Sequence, residues 1–199
     1  MIEIILATRN IHKARELQTL IRDFDVKIHT LDDISTEIIL REDGDTFEAN
    51  ALQKARIVHH QTKLPSLADD SGLEVFYLNG RPGVFSARYA GVEATDEKNN
   101  RKLLDEMCGV SPRRRRAQFR SVLALVGDGL EELAEGLCPG RLGEIPVGTN
   151  GFGYDPIFIP DGYTKTYAQL TSEEKNRISH RARSFSKMIP VMKLKLLKR

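Results

Sequence analysis

Four short segments hold more polar chemistry than a core or a turn requires. Thr8-Arg-Asn-Ile-His-Lys13 stands where a short apolar run gives way to a helix start. Backbone amides at such a junction favour an anion, and Thr8, Asn10 and Lys13 would add donors and a positive charge. A capped helix with a solvated lysine fits the same residues, and the phosphate-loop pattern G-x-x-x-x-G-K-S/T is absent. Asp69-Asp70-Ser71-Gly72 places two carboxylates side by side, which repel unless a cation compensates them. As a plain turn, both acids would face water. Leu67 and Ala68 just before them put the turn at a strand end, where α/β folds place ligands.

Arg41-Glu-Asp-Gly-Asp45 is either loop solvation or the source of a further ligand, Glu42. Magnesium prefers one or two carboxylates plus waters and phosphate oxygens, so Glu42 and Asp70 would suffice. The fourth segment is Gly151-Phe-Gly-Tyr-Asp-Pro156, followed by Glu173 to Arg181. Glycines beside an aromatic let backbone approach a planar ligand, and Phe152 or Tyr154 would stack on a base. Lys175, His180 and Arg181 supply donors and charge. Pro156 prevents a dinucleotide-type G-x-G-x-x-G continuation, and a glycine-rich turn with an exposed basic helix start is the plainer alternative. The four-arginine run Arg113 to Arg116 is read as a solvated loop ahead of a strand rather than a nucleic-acid contact. His59-His60 is read as a helix end rather than a metal site.

The elements that must hold these segments alternate between strand and helix. Ile2–Thr8, Val26–Leu31 and Glu37–Leu40 read as short strands. Asn10 caps a helix with Ala14, Leu17, Leu20 and Ile21 on one face. Asp45 and Glu48 have capping-box spacing for a second helix, whose inner face is Phe47, Ala51, Ala55 and Val58. Ser66–Asp70 and Leu73–Leu78 read as two strands, and Thr95–Met107 as a helix. Phe119–Val126 is the most apolar stretch and reads as a central strand, with Glu131–Leu137 beside it. Gly140–Pro160 reads as loop with short strands. A last helix lies between Ile178 and Leu197, kinked or interrupted at Pro190. The pattern is that of a mixed α/β domain.

Composition bounds the rest. A chain of 199 residues suits one domain with a sizeable core. Lys+Arg total 30 against Asp+Glu 28, a net charge of +2, which excludes a generally basic nucleic-acid coat. Two cysteines without C-x-x-C spacing suit inert thiols in a reducing compartment. The first residues read as a strand rather than a leader, and no apolar run approaches the ~20 residues of a membrane span. A cytoplasmic soluble protein is expected.

Taken in chain order, the motifs are Thr8-x-Asn10-x-x-Lys13, Glu42-x-Gly44-x-Thr46-Phe47-x-x-Asn50-Ala51 and Ala68-Asp-Asp-Ser-Gly-Leu73. They continue through Asn79-Gly-x-Pro-Gly83, Ser86-Ala-Arg88, Gly151-Phe-Gly-Tyr-Asp-Pro156 and Ser179-His-Arg181. This series resembles the Ham1/inosine triphosphate pyrophosphatase family. The resemblance implies the ITPase-like (Maf/Ham1) α/β fold: a long curved mixed β-sheet with flanking helices and two lobes around a central cleft. It implies one pyrophosphatase domain over residues 1–199 and a homodimer.

It further implies Mg²⁺-assisted hydrolysis of deaminated purine triphosphates (ITP, dITP, XTP) to monophosphate and pyrophosphate. The partner is then a small-molecule substrate, with no nucleic acid and no membrane. By motif, Asp70 matches the family's general base and a metal ligand, and Glu42 a second metal ligand. Thr8, Asn10, Lys13 and Ser71 match contacts around the phosphates. Phe152, Gly153, Tyr154, Asp155, Lys175, His180 and Arg181 match the base and sugar side. One departure is Gln169, where the family usually has Glu. Related Maf-type pyrophosphatases for pyrimidine or modified nucleotides are the nearest alternative, which the Gly-Phe-Gly-Tyr-Asp and Ser-His-Arg segments disfavour. A non-catalytic nucleotide or RNA binder using Arg113 to Arg116 is the other; it would leave unexplained Glu42, Asp69 and Asp70, which are expected to gather around a cation.

Overall fold

The computed structural model describes residues 2–21, 26–34 and 38–196. Strand β1 (Ile2–Leu6) is an apolar run with Ile4, Ile5 and Leu6 fully buried. Such a run suits a strand covered on both faces, where no polar alternation is needed. It pairs in parallel with β2 (Val26–Thr30), from Ile2 opposite Val26 to Leu6 opposite Thr30, and with β3 (Ser66–Val75), Leu6 opposite Leu67. Parallel neighbours need crossover connections. Helix α1 (Ile11–Ile21) lies between β1 and β2 in the chain, and α2 (Phe47–Thr62) between β2 and β3.

The sheet is completed by β4 (Arg116–Gly127), β5 (Leu130–Leu142) and β6 (Phe158–Pro160), in the order β2-β1-β3-β4-β5-β6. Only Asp128-Gly129 separates β4 from β5, the residue pair that suits a tight hairpin. β6 runs antiparallel to β5, so the sheet is mixed, as expected. Two further helices start behind capping hydroxyls, α3 (Asp96–Glu106) behind Thr95 and α4 (Ser172–Ile178) behind Thr171, and α5 (His180–Lys195) follows at once.

The chain forms two compact units. The first is Met1–Asp70, Ser121–Gly136 and Arg181–Arg199; the second is Ser71–Arg120 and Leu137–His180. In the first, Ile4, Leu17, Leu67, Leu123, Phe185 and Met188 pack together. In the second, the core gathers Leu73, Leu103, Met107, Phe119, Phe158 and Tyr167, with Phe119 edge-on to Phe158 at 4.7 Å between centroids. Edge-to-face rings at that separation match the aromatic quadrupole.

Several boundaries differ from the sequence reading. Ser66–Asp70 and Leu73–Leu78 are not two strands: β3 runs unbroken to Val75, and Phe76–Leu78 is a 3₁₀ turn. The polar Asp69-Asp70-Ser71-Gly72 lies inside that strand because its acids find partners there, so no turn is needed. The cap of α2 is Thr46, whose hydroxyl accepts from the Ala49 amide, one residue beyond the expected Asp45. β5 reaches Leu142, so it takes in Gly140–Leu142, the first residues of the stretch that the composition assigned to loop with short strands. Glu37 lies outside the described residues, and Ile38–Leu40 is irregular backbone rather than strand. α5 continues through Pro190 to Lys195, so the proline does not interrupt it; Leu197 lies outside the described residues. Cys108 is exposed and Cys138 buried, both as free thiols.

Candidate active site

In the first unit, the site is assembled where β1 ends, α1 begins and β3 passes beside them. The Thr8 hydroxyl accepts from the Asn10 amide, and Asn10 Oδ1 accepts from the amides of His12 and Lys13. Asn10 is thus the cap of α1, as its position predicted. The cap aims Lys13 back along the helix start, and its Nζ meets Asp69 Oδ2 at 3.0 Å.

Successive side chains of a strand point to opposite faces, and Asp69 and Asp70 accordingly have different company. Asp69 is wholly buried; Ser121 donates to its Oδ1 at 2.6 Å and Arg181 Nε approaches Oδ2 at 3.3 Å. Arg181 is itself buried and also pairs with Glu16. Burial alone would raise the Asp69 carboxyl, yet Lys13, Arg181 and Ser121 hold it far below the usual carboxylate range. Asp69 therefore serves as the anchor for two cations, rather than joining Glu42 and Asp70 around a third.

Asp70 is held by Asn50, which the motif series contains without a role, and by Lys54, which sequence reasoning missed. Asn50 donates to Asp70 Oδ2 at 3.1 Å and accepts from the Gly44 amide at 2.8 Å, tying the acidic loop to β3. A Cβ on Gly44 would stand 2.8 Å from the Ala49 Cβ and 2.9 Å from Asn50 Oδ1, so the loop passes here only as glycine. Lys54 places its Nζ 2.5 Å from Glu42 Oε1, 3.2 Å from Asp70 Oδ1 and 2.8 Å from the Asp69 carbonyl. Burial raises the Asp70 carboxyl above its ordinary value despite the opposing pull of Lys54 and Lys13. A signal for both was present: positions 50 and 54 fall in the same helical stripe as Phe47, Ala51, Ala55 and Val58, all buried. An asparagine and a lysine on a buried stripe must each meet a polar partner.

Glu42 and Asp70 offer hard oxygen donors and already converge on one cation, the Lys54 ammonium. Among the described residues no group of three or more His, Cys, Asp or Glu could hold a metal ion. Two carboxylates completed by water and phosphate oxygens nonetheless fit the habits of magnesium.

In the second unit, Gly151–Asp155 forms a loop wound around the buried Asp155 carboxylate. Asp155 Oδ2 accepts from the Phe152 amide at 3.0 Å and from Lys175 Nζ at 2.6 Å. A Cβ on Gly151, at φ +77°, would lie 2.0 Å from that oxygen. Lys175 also sits over the Phe152 ring, 4.8 Å from its centroid, within cation–π range. Tyr154 is buried with its hydroxyl on the Ser86 carbonyl, so Phe152 is the partly exposed ring of the loop and Tyr154 a core residue. His180 is buried and stacks on Phe119 at 4.7 Å. Ser71 follows Asp70 in β3, partly buried.

Gln169 completes a capping box at the 3₁₀ turn Tyr167–Gln169, its Oε1 accepting from the Thr166 amide at 3.0 Å. Glutamate and glutamine serve this role alike, so the departure at 169 falls on a cap. In the arginine run Arg113, Arg114 and Arg116 are exposed ahead of and at the start of β4, as expected, and Arg115 alone departs: it is buried and donates to the carbonyls of Met107, Leu142 and Gly143. Arg116 makes a two-pronged contact with Asp161, and Arg114 lies over Tyr77.

Buried carboxylates bracketed by ammonium and guanidinium groups within β3, beside the end of β1 and the start of α1, are an arrangement that suits a charged ligand. The Ham1 family model matches residues 4–191. The chain is 46% identical over 186 residues to a dITP/XTP pyrophosphatase of Thermoanaerobacter sp., covering 94% of each chain. It is 47% identical over 191 residues to one from Bacillus licheniformis, covering 94% of this chain and 96% of that one. Among solved structures, a HAM1 protein from Coxiella burnetii superposes with a TM-score of 0.88 at 42% identity, covering 96% of this chain and 98% of that one. The Staphylococcus aureus Ham1 protein does so with 0.87 at 36% identity, covering 97% and 99%. The chain belongs to the Ham1 family.

Proposed function

We propose that this chain hydrolyses deaminated purine nucleoside triphosphates (ITP, dITP and XTP) to the monophosphate and pyrophosphate, with residues 1–199 working as one domain. The observation that carries the reading is Asp70: a buried carboxylate, fixed by Asn50 and Lys54, beside a second carboxylate, Glu42. The names of the curated relatives support the substrate class. Mg²⁺ is the proposed cofactor, held by Glu42 and Asp70; when bound it would offset charge on the phosphate oxygens.

The protein's own groups supply the remaining steps. Asp70 orients a water and takes its proton as the water oxygen bonds to the α-phosphorus. The bond from that phosphorus to the bridging oxygen breaks, and the electron pair leaves with pyrophosphate. A carboxyl raised by burial is a better base near neutral pH than an ordinary aspartate. Lys13 and the amides at the start of α1 stabilise the departing pyrophosphate, with Thr8 and Ser71 as further phosphate contacts. In the second unit, Phe152 offers a face for a purine, and Lys175, Asp155, His180 and Gly153 surround the base and sugar. A donor held at the 6-position pairs with a keto oxygen and leaves a buried group unpaired opposite an amino group, which disfavours ATP. A homodimer in the cytoplasm completes the proposal; among the described residues no helix is long and apolar enough to cross a membrane.

Pyrophosphate release from ITP, XTP, GTP and ATP with magnesium tests the reading. ITP and XTP should turn over far faster than ATP, and equal turnover of ATP and ITP would overturn the selectivity. Asp70→Asn should lower turnover by at least ~10³-fold, since the amide neither takes a proton nor binds a hard cation well. A near-normal rate in that variant would remove Asp70 as the base.

A further inference from the structure

The loop proposed to meet the base is gripped from behind by α3, a helix that the mechanism does not use. Asp96, at the start of α3, accepts the Gly153 amide on its Oδ2 at 2.6 Å. One turn later, Asn100 donates from Nδ2 to the Gly153 carbonyl at 2.8 Å and, from the same nitrogen, to the Asp96 carbonyl at 2.8 Å. Both backbone groups of one residue are thus held by two side chains at i and i+4, a spacing that puts them on one face of the helix. Gly153 needs this hold, because its φ of +62° is a conformation that the flexible glycine backbone would leave readily. Asp155 secures the other side of Phe152, through the Phe152 amide. The two grips fix the backbone on either side of the Phe152 ring.

We infer that Asp96 and Asn100 are positioning residues for purine recognition, setting Phe152 where it meets the base through their joint hold on Gly153. The inference rests on the reading of Gly151–Asp155 as the base side of the site. Asp96 is the stronger partner, since a carboxylate accepting from an amide makes a charge-assisted bond. It is exposed, so its loss leaves no buried hole. Thr95 caps α3 independently, its hydroxyl accepting from the Lys98 amide at 3.2 Å, so the helix start survives the substitution.

The test compares wild type with Asp96→Ala, Asp96→Asn and Phe152→Ala by steady-state kinetics on ITP. Inhibition by inorganic tripolyphosphate, which has no base, is measured alongside. Asp96→Ala should raise KM for ITP roughly tenfold with kcat within about twofold, the size expected from losing one charge-assisted hydrogen bond. Its tripolyphosphate inhibition should match wild type. Asp96→Asn keeps an acceptor oxygen and should recover most of the loss. Asn100→Ala, with folding checked by thermal melting, should act in the same direction. If Phe152→Ala raises KM and Asp96→Ala does not, the inference is overturned and the base-side reading stands. If Phe152→Ala also leaves KM unchanged, the base-side reading itself fails. Equal weakening of ITP and tripolyphosphate in Asp96→Ala would show a general loss of structure and would likewise overturn it.

Discussion

At the scale of single residues, Lys54 is the most informative side chain. Its ammonium lies between Glu42 and Asp70, two carboxylates that would otherwise repel. Burial acts to neutralise it, but Asp70 and Glu42 prevail and keep it charged. Removing one partner from a buried ionic group leaves the others uncompensated, at a cost of about 3 kcal/mol or more. Lys54→Met is therefore expected to lose about that much stability in urea denaturation without divalent cations. If Glu42 and Asp70 also accept magnesium, added Mg²⁺ will raise the melting temperature of Lys54→Met by more than that of wild type. An equal Mg²⁺ response in both proteins would argue against a shared cation position. Asp69 behaves differently because its charge is already matched by Lys13 and Arg181. Two neighbouring aspartates have separate tasks, and the alternation of side chains along β3 is the reason.

Among the elements, the contact between the end of the 3₁₀ segment Gly83–Arg88 and α3 gives a measurable pH dependence. The Tyr89 hydroxyl, just past that segment, donates to Glu106 Oε2 at 2.6 Å near the end of α3. Burial first, and the Glu106 carboxylate second, push the phenol up to about 12. The unfolded chain releases this proton near pH 10. The folded state therefore favours the neutral phenol, and its contribution to stability is complete below about pH 10. It is lost as the pH rises from there through about 12. The alkaline absorbance titration of wild type minus that of Tyr89→Phe should show a transition near 12. A difference centred near 10 would mean that Tyr89 is not held by Glu106 in solution. The same contact bears on the Gly151–Asp155 loop, since α3 is the helix that carries Asp96 and Asn100.

For the molecule as a whole, the chain passes between its two compact units within β3, β4 and β5, and again between His180 and Arg181. Strands shared in this way tie the melting of one unit to that of the other, so one cooperative transition is expected. The sequence supplies its own probes. There is no tryptophan, and all five tyrosines, at 77, 89, 154, 163 and 167, lie in the second unit. Helices α1, α2 and nearly all of α5 belong to the first unit, α3 and α4 to the second. Tyrosine fluorescence therefore reports the second unit alone while far-ultraviolet circular dichroism is weighted to the first, and their urea midpoints should coincide. Separated midpoints would show that the two units unfold independently. The near-zero net charge also acquires a local meaning: Glu42, Asp69 and Asp70 are each matched by Lys13, Lys54 or Arg181 within the first unit.

The sequence by itself determined the order of the elements, because apolar periodicity and capping residues act over a few neighbours. Asn10 and the stripe through Ala51 and Val58 were legible for that reason. It also marked Asp69-Asp70 and Gly151–Asp155 as candidate segments, since their residue types are ones that ordinary turns and cores do not need. Only the tertiary structure decided what each charged group faces. Lys54 is 12 residues from Glu42 and 16 from Asp70, Arg181 is 112 from Asp69, and Asp96 is 57 from Gly153. Pairing over such distances depends on strand order and helix rotation, which no local pattern records. Asp70 as a raised carboxyl and Arg115 as a buried donor followed from burial, and Asp69 as a lowered carboxyl from the cations and hydroxyl gathered around it; both causes belong to the folded chain.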